Sequence, residues 1–172
     1  MKSPAVVIGY LNNERANRET FVIDSSGNRW IKTGDEAVVR KAPSGYEHIF
    51  IVDRIKELIK VKGLQVAPAE LEAHLLTCNL VADCAVIPVP DDDAGEVPKA
   101  FVVKAANIGK ESDEILKRKI QKHVEASKSR HKWLKGGVEF IDAIPKSPSG
   151  KILRRLLRDK EREARRKAGT KI

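Results

Sequence analysis

A chain of 172 residues can bury one ordinary core, or one core and part of a second, which excludes a large multidomain enzyme. Its 41% hydrophobic and 33% charged residues fit a soluble globular protein, and no apolar run approaches the ~20 residues needed to span a bilayer. The net charge of +9 is concentrated at one end: residues 151–172 hold ten Lys/Arg against three Asp/Glu, leaving 23 basic and 21 acidic residues in the first 150. The near-neutral body argues against a nucleic-acid-binding surface and predicts a solvated helix end instead. The opening MKSPAVVIGYLNN has too short an apolar segment for a secretory signal, so an intracellular, most simply cytoplasmic, protein is expected. Cys78 and Cys84 lack CxxC spacing, and His48, His74, His123 and His131 are scattered; neither a disulfide framework nor a metal site is indicated.

Residues 1–52 read as short strands and turns with no helix to cover them. An Asn-Asn turn precedes the polar ERANRET, and DSSGN marks a second turn before Trp30 and Ile31. Glu36–Lys41 and Glu47–Val52 are β-rich runs joined by APSG, a hairpin. Next, in DRIKELIKVKGLQVAP, period-two reading puts Leu58, Lys60 and Lys62 on one face and Ile59 and Val61 on the other. Gly63 supplies the positive φ of a tight return, giving a small lysine-bearing hairpin.

Pro68, Glu70 and Glu72 open a helix to about Thr77. Ala82–Val89 is almost continuously apolar, which predicts a central strand buried on both faces, and DDDAGE turns it into the strand Pro98–Lys104. Ser112 begins a helix in which Leu116, Ile120 and Val124 recur every four residues. Val138–Ala143 is the last strand, and IPKSPSGK is a mobile loop feeding a helix from about Lys151. Ile152, Leu153, Leu156 and Leu157 of that helix should dock, while everything beyond Arg158 should project and fray. From Leu64 the order is β-α-β-β-α-β-α, an α+β unit behind a β-rich remnant.

Three polar sites stand out. Thr33-Gly34-Asp35 sets a carboxylate beside a glycine just after a strand, able to accept both hydrogen bonds of a vicinal diol such as a ribose. Asp53-Arg54 with Lys60, Lys62, Gly63 and Gln65 forms the second. The third is Pro145–Lys151, where a lysine could carry its ammonium to a phosphate or carboxylate, although the Walker spacing GxxxxGK[ST] is absent.

WIKTGD, DRIKELIKVKGLQVAPAELE, VPDDDAGEVPKAFVV and IPKSPSGKILRR, in this order and at these intervals, resemble the C-terminal part of the adenylate-forming enzymes. The acyl- and aryl-CoA synthetases, typified by 4-coumarate:CoA ligase and firefly luciferase, are the nearest in pattern. The resemblance implies substrates ATP (with Mg2+), a carboxylic acid and CoA, an acyl-adenylate intermediate with AMP released, and a small C-terminal domain that rotates between half-reactions. It implies that Asp35 holds the ribose hydroxyls and Arg54 assists, that Lys56 is the hinge, and that Lys60 and Gln65 face the adenylate during thioester formation. Gly63 and Lys62 would lie near the CoA path, and Lys151 would reach the α-phosphate and substrate carboxylate during adenylation. The domains implied are 1–55, the end of the large AMP-binding domain; 56–158, the mobile C-terminal domain; and 159–172, a basic solvated tail.

The phosphate loop of the type TSGTTGxPKG and the acid pocket, which in that family lie upstream, are not in this sequence. The expectation is therefore a C-terminal portion that is inactive alone and needs a separate large domain as partner. Two other readings fit the same pattern: a non-catalytic interaction fragment, and a ferredoxin-like nucleic-acid-binding module. The last suits the β-α-β-β-α-β outline, yet PKAFVVKA lacks the paired aromatics of an RNA-recognition strand and aromatics are only 5% of the chain. The ending Thr170-Lys171-Ile172 faintly resembles a peroxisomal signal.

Overall fold

The strand Gly95–Lys104 (β8) is the axis of the fold, and three other strands pair with it. In the computed structural model, which describes residues 1–106 and 111–169, β8 pairs antiparallel with β7 (Val81–Asp91) along one side. On its other side Gly95 meets β5 (Ile59–Val61), and Ala100–Val102 run parallel to β9 (Val138–Phe140). β6 (Leu64–Val66) completes the sheet by pairing with β5.

The apolar run 82–89 is buried on both faces as expected, with Cys84, Ala85, Val86 and Ile87 nearly inaccessible, but β7 is an edge strand and β8 is the central one. Its second cover is helical: α2 (Pro68–Leu75) and α4 (Arg154–Gly169) both lie against β7. The outer edge of β7 is closed by the Glu72 carboxylate, which accepts the Val86 N–H at 2.8 Å, so an unpaired strand donor is satisfied from a neighbouring helix.

α2 and α3 (Asp113–Glu125) pack on each other, and Leu116, Ile120 and Val124 are the three buried residues of α3, as their spacing predicts. Around Phe101 the core gathers Ile59, Val66, Leu71, Leu75, Ile87, Ile120 and Val124; each such side chain contributes about 1.5–3 kcal/mol by leaving water. Between α3 and β9 runs a short 3-10 turn, Arg130–Lys132.

The segment before this unit has its own small pieces. ERANRET, read as a polar segment among strands and turns, is a helix, α1 (Glu14–Thr20), with Asn13 accepting the Ala16 N–H as its cap. β1 (Phe21–Ile23) pairs with β2 (Arg29–Ile31), and β3 (Asp35–Lys41) with β4 (Glu47–Arg54). The β3–β4 hairpin is a separate two-stranded sheet whose Val39, Ile49, Phe50 and Ile51 are exposed.

Three further expectations are corrected. Leu58 is buried rather than on the lysine face, and Lys62 lies in the turn itself. Leu153 and Leu156 are exposed, so the docking of the last helix rests on Leu157 and Ile152. The stretch past Arg158 does not simply stand clear: α4 continues unbroken through residue 159, and Glu161 is buried against Lys99. Among the described residues no helix is long and apolar enough to cross a membrane. The ending Thr170-Lys171-Ile172 lies outside the described residues.

Candidate functional site

Strand pairing brings the first two sequence motifs side by side. Asp35 and Arg54 are register partners at the open end of the β3–β4 hairpin, and the Ile55 N–H donates to the Gly34 carbonyl at 2.9 Å. Gly34 has φ +76°, a conformation that favours glycine and turns the chain into β3 so that Asp35 faces its partner. The Arg54 Nε lies 3.8 Å from Asp35 Oδ1, too long for a hydrogen bond; Arg54 is exposed and Asp35 half-buried. An exposed pair of this kind adds at most about 1 kcal/mol to stability, so both groups remain available to a ligand. Arg54 borders a cleft of about 520 Å³, lined also by Gly34, Lys56 and Glu57 from this end and by Arg158 from α4.

Asp53, adjacent to Arg54, has a structural task. Its carboxylate accepts the N–H of Arg54 at 2.7 Å and that of Ala69 at 3.2 Å. The N-cap position of α2 is Ala67, which has no side-chain acceptor, so Asp53 caps the helix from a distance and ties β4 to α2.

The second site is the β5–β6 hairpin. Lys60 and Gln65 are register partners, both exposed, while Ile59, Val61 and Val66 are buried beneath. Its turn is Lys62-Gly63 with φ +50° and +80°, the two-residue return that matches strand twist. The Lys62 N–H donates to the Ala94 carbonyl at 2.9 Å and the Lys60 N–H to the Glu96 carboxylate at 2.9 Å, which clamp the hairpin onto the start of β8.

The third site, expected as a loose loop, is a closed turn. Ile152 bridges Lys146, the Ser147 N–H donates to the Lys151 carbonyl at 2.8 Å, and the Gly150 N–H donates to the Ser147 carbonyl at 2.8 Å. Lys151 in turn donates its N–H to Ser147 Oγ at 3.2 Å. The backbone is thereby fixed, and only the ammonium on its long stem extends into solvent. Among the described residues Lys151 makes no hydrogen bond or ion pair with Asp35, Arg54, Lys60 or Gln65. The fold thus joins Asp35 to Arg54 and Lys60 to Gln65, sets Lys56 beside the first pair, and leaves Lys151 separate.

Sequence reading missed the cluster that joins these parts. Arg154 binds Glu57 at 2.7 Å and both oxygens of Glu72, at 2.9 and 2.7 Å. Burial pushes the Glu72 carboxyl above its ordinary range, opposed by the Val86 N–H and by Arg154. Nothing in the local pattern marks these residues, because Arg154 belongs to a basic run and Glu57 and Glu72 read as ordinary solvated acids.

The description "AMP-binding enzyme C-terminal domain" matches residues 70–151. Those residues are an AMP-binding enzyme C-terminal domain. The chain as a whole corresponds to the C-terminal portion of the adenylate-forming acyl-CoA ligases. It is 51% identical over 175 residues to the acyl-CoA ligase lcsD of Purpureocillium lilacinum, covering 99% of this chain and 44% of that protein. It is 49% identical to 4-coumarate–CoA ligase 5 of Oryza sativa subsp. japonica, covering 93% of this chain and 27% of the relative. The chain therefore spans less than half the length of these relatives. Among solved structures, the anthranilate CoA ligase AuaEII in complex with anthranoyl-AMP superposes with a TM-score of 0.75 at 30% identity, over 95% of this chain and 28% of that one. ATP-bound MatB from Rhodopseudomonas palustris gives 0.73 at 28% identity, over 92% and 29%. The matched C-terminal domain includes Lys151, whereas Asp35, Arg54, Lys56 and the β5–β6 hairpin precede it.

Proposed function

We propose that the chain is the C-terminal portion of an ATP-dependent carboxylic acid:CoA ligase, which forms an acyl-adenylate and then an acyl-CoA thioester. The observation that carries this reading is the Asp35–Arg54 pair: a half-buried carboxylate and an exposed guanidinium, brought side by side by strand register, with Arg54 on the wall of a cleft. A carboxylate so placed can accept the two hydroxyls of a ribose, and the guanidinium beside it can donate to the ring or a phosphate oxygen. Lys151 would stabilise charge on the α-phosphate during adenylation, and Lys60 with Gln65 would face the adenylate during thioester formation, with Lys62 and Gly63 along the path of CoA. Lys56, between the β4 strand and the β5–β6 hairpin, would be the hinge between residues 1–55 and the mobile domain beginning at 56.

The exposed apolar residues of β3–β4 fit a partner surface supplied by a large AMP-binding domain, since a lone two-stranded sheet is marginally stable in water. Mg2+ would enter with the phosphates of ATP; among the described residues no group of three or more His, Cys, Asp or Glu is placed to hold a metal ion. The two buried, unpaired cysteines fit a reducing compartment, and we place the reaction in the cytoplasm.

The test is steady-state turnover with ATP, CoA and a panel of carboxylic acids, using the chain alone, a separately expressed large domain alone, and the two together. Thioester formed only by the combination supports the assignment. A combination no more active than the large domain alone would mean that this chain has no part in the chemistry.

A further inference from the structure

The turn that carries Lys151 is a small hairpin with one face held to the sheet. Lys146 and Ile152 are antiparallel bridge partners, and just outside them the Leu153 N–H donates to the Pro145 carbonyl at 2.8 Å. Cross-strand partners share a face, and the residues next to them in sequence take the opposite one. Ile152 packs against the core, so Lys146 also faces the sheet, while Lys151 faces away and is exposed. Pro148 suits the second position of the turn itself, in which the Ser147 carbonyl accepts the Gly150 N–H at 2.8 Å.

What meets Lys146 is Asp83, 63 positions earlier, at 2.6 Å. Strand pairing explains how that carboxylate comes to be there. Val81 pairs with Lys104 and Asp83 with Val103, so Ala82 is an extra residue, a bulge at the start of β7. A bulge re-aims a neighbouring side chain. Asp83 Oδ1 accepts the Cys84 N–H at 3.0 Å, which leaves Oδ2 for the lysine. Among the described residues neither group has a second ion-pair partner. Both side chains are roughly a third exposed, and a pair this open adds little to overall stability. Its effect is local: it fixes how the hairpin leans on the sheet.

We propose that Asp83 and Lys146 are positioning residues for Lys151: their ion pair orients the hairpin so that the Lys151 ammonium is aimed at the reacting phosphate and carboxylate. Ile152 and the Pro145–Leu153 hydrogen bond anchor the base of the hairpin, and the ion pair is the polar contact that stops it pivoting about that anchor. A lysine head on four rotatable bonds depends on where its backbone stands, and a misplacement of about 1 Å can cost as much as 10²-fold in rate. The catalytic consequence rests on the role proposed above for Lys151; the tether stands on the geometry of the chain alone.

Two measurements test it. In the full chain, Asp83→Asn and Lys146→Met should each speed hydrogen exchange of the Ser147, Lys151 and Leu153 amides about three- to fivefold, with an unchanged melting curve and unchanged exchange in β8. In the chain joined to a large AMP-binding domain, each substitution should slow single-turnover adenylate formation about tenfold and leave conversion of preformed acyl-adenylate to thioester as it was. The double variant should lose no more than either single one, because both remove the same contact, and Lys146→Arg should keep most of the rate. Unchanged exchange in the hairpin would overturn the tether. Losses that multiply in the double variant, or that fall equally on both half-reactions, would overturn the positioning role. If Lys151→Ala leaves adenylate formation intact, the role proposed for Lys151 fails, and the exchange measurement alone then upholds or overturns the tether.

Discussion

Arg154 and Glu57, 97 positions apart, meet at 2.7 Å and tie the last helix to the residue after the proposed hinge. Through its second guanidinium nitrogen the same arginine holds Glu72, which is itself bonded to the Val86 N–H of β7. One side chain therefore joins α4, α2, the sheet edge and the segment leading into β5.

Removing it should be costly. With Arg154→Ala, Glu72 would remain buried with its charge uncompensated, and loss of one partner from a buried pair typically costs about 3–5 kcal/mol. Glu57 is the more exposed partner, so Glu57→Gln should cost about 1 kcal/mol. Urea unfolding of both variants gives the comparison; equal small losses would show that the cluster contributes little.

The far part of α4 should matter to stability as well. Lys99 is half-buried between Glu139 and Glu161, and Arg165 donates to both Glu161 and the Pro90 carbonyl. Glu161→Ala strips Lys99 of one of two partners and should cost about 1–3 kcal/mol in the same assay. Arg162→Ala, at an exposed position whose ion pair is 3.4 Å long, should change it by less than about 0.5 kcal/mol.

Acid should act in two phases. In Glu70, Glu139 and Glu161 burial alone would raise the carboxyls, but hydrogen bonds and charges from Lys132 and Lys128, from Lys99 and Lys160, and from Arg165 and Lys99 outweigh it and hold all three below their ordinary 4.5. A depressed carboxyl stabilises the fold above its unfolded value, and that contribution is lost as pH falls below 4.5 through the folded value. Glu72 has the opposite sign, since its raised carboxyl takes up a proton more readily when folded than when unfolded. The unfolding midpoint should therefore rise slightly on acidification toward 4.5 and fall below it, and Glu72→Gln should abolish the rise while keeping the fall. A midpoint that declines steadily from neutrality would contradict this assignment of signs.

Much of the domain from β6 onward was legible because its helices and strands carry long apolar patterns. The Leu116/Ile120/Val124 stripe is sufficient to place α3 and its buried face. Where local pattern is silent, the expectations failed. ERANRET has no buried residue, so α1 rests on the Asn13 cap rather than on an apolar stripe. The run 82–89 indicates burial on two faces but not what supplies it, and α2 and α4 take the place of a second neighbouring strand. Apolar counting likewise stops at Leu157 and cannot foresee that Glu161 docks through Lys99. At the candidate site, TGD and DR are visible as motifs, but only β3–β4 register makes Asp35 and Arg54 neighbours, and Arg158 reaches the cleft from the last helix.

Backbone protection should differ along the chain. β3 and β4 pair only with each other and expose most of both faces, whereas β7 and β8 run through the core. Amides of residues 35–54 should exchange through local opening, and those of 84–102 only with global unfolding. Equal protection by hydrogen-exchange mass spectrometry would mean that the β3–β4 faces are covered in solution.

The division of labour between two lysines is the centre of the account. Lys151 sits on the turn before α4 and Lys60 on the β5–β6 hairpin, with no hydrogen bond between them among the described residues, so each would reach the reacting phosphate in a different orientation of the domain. The direct test is single-turnover kinetics of each half-reaction in the chain joined to a large AMP-binding domain. Lys151→Ala should slow adenylate formation by about 10²–10³ while thioester formation from preformed acyl-adenylate persists, and Lys60→Ala should show the reverse bias. Equal losses in both half-reactions from Lys151→Ala would contradict it.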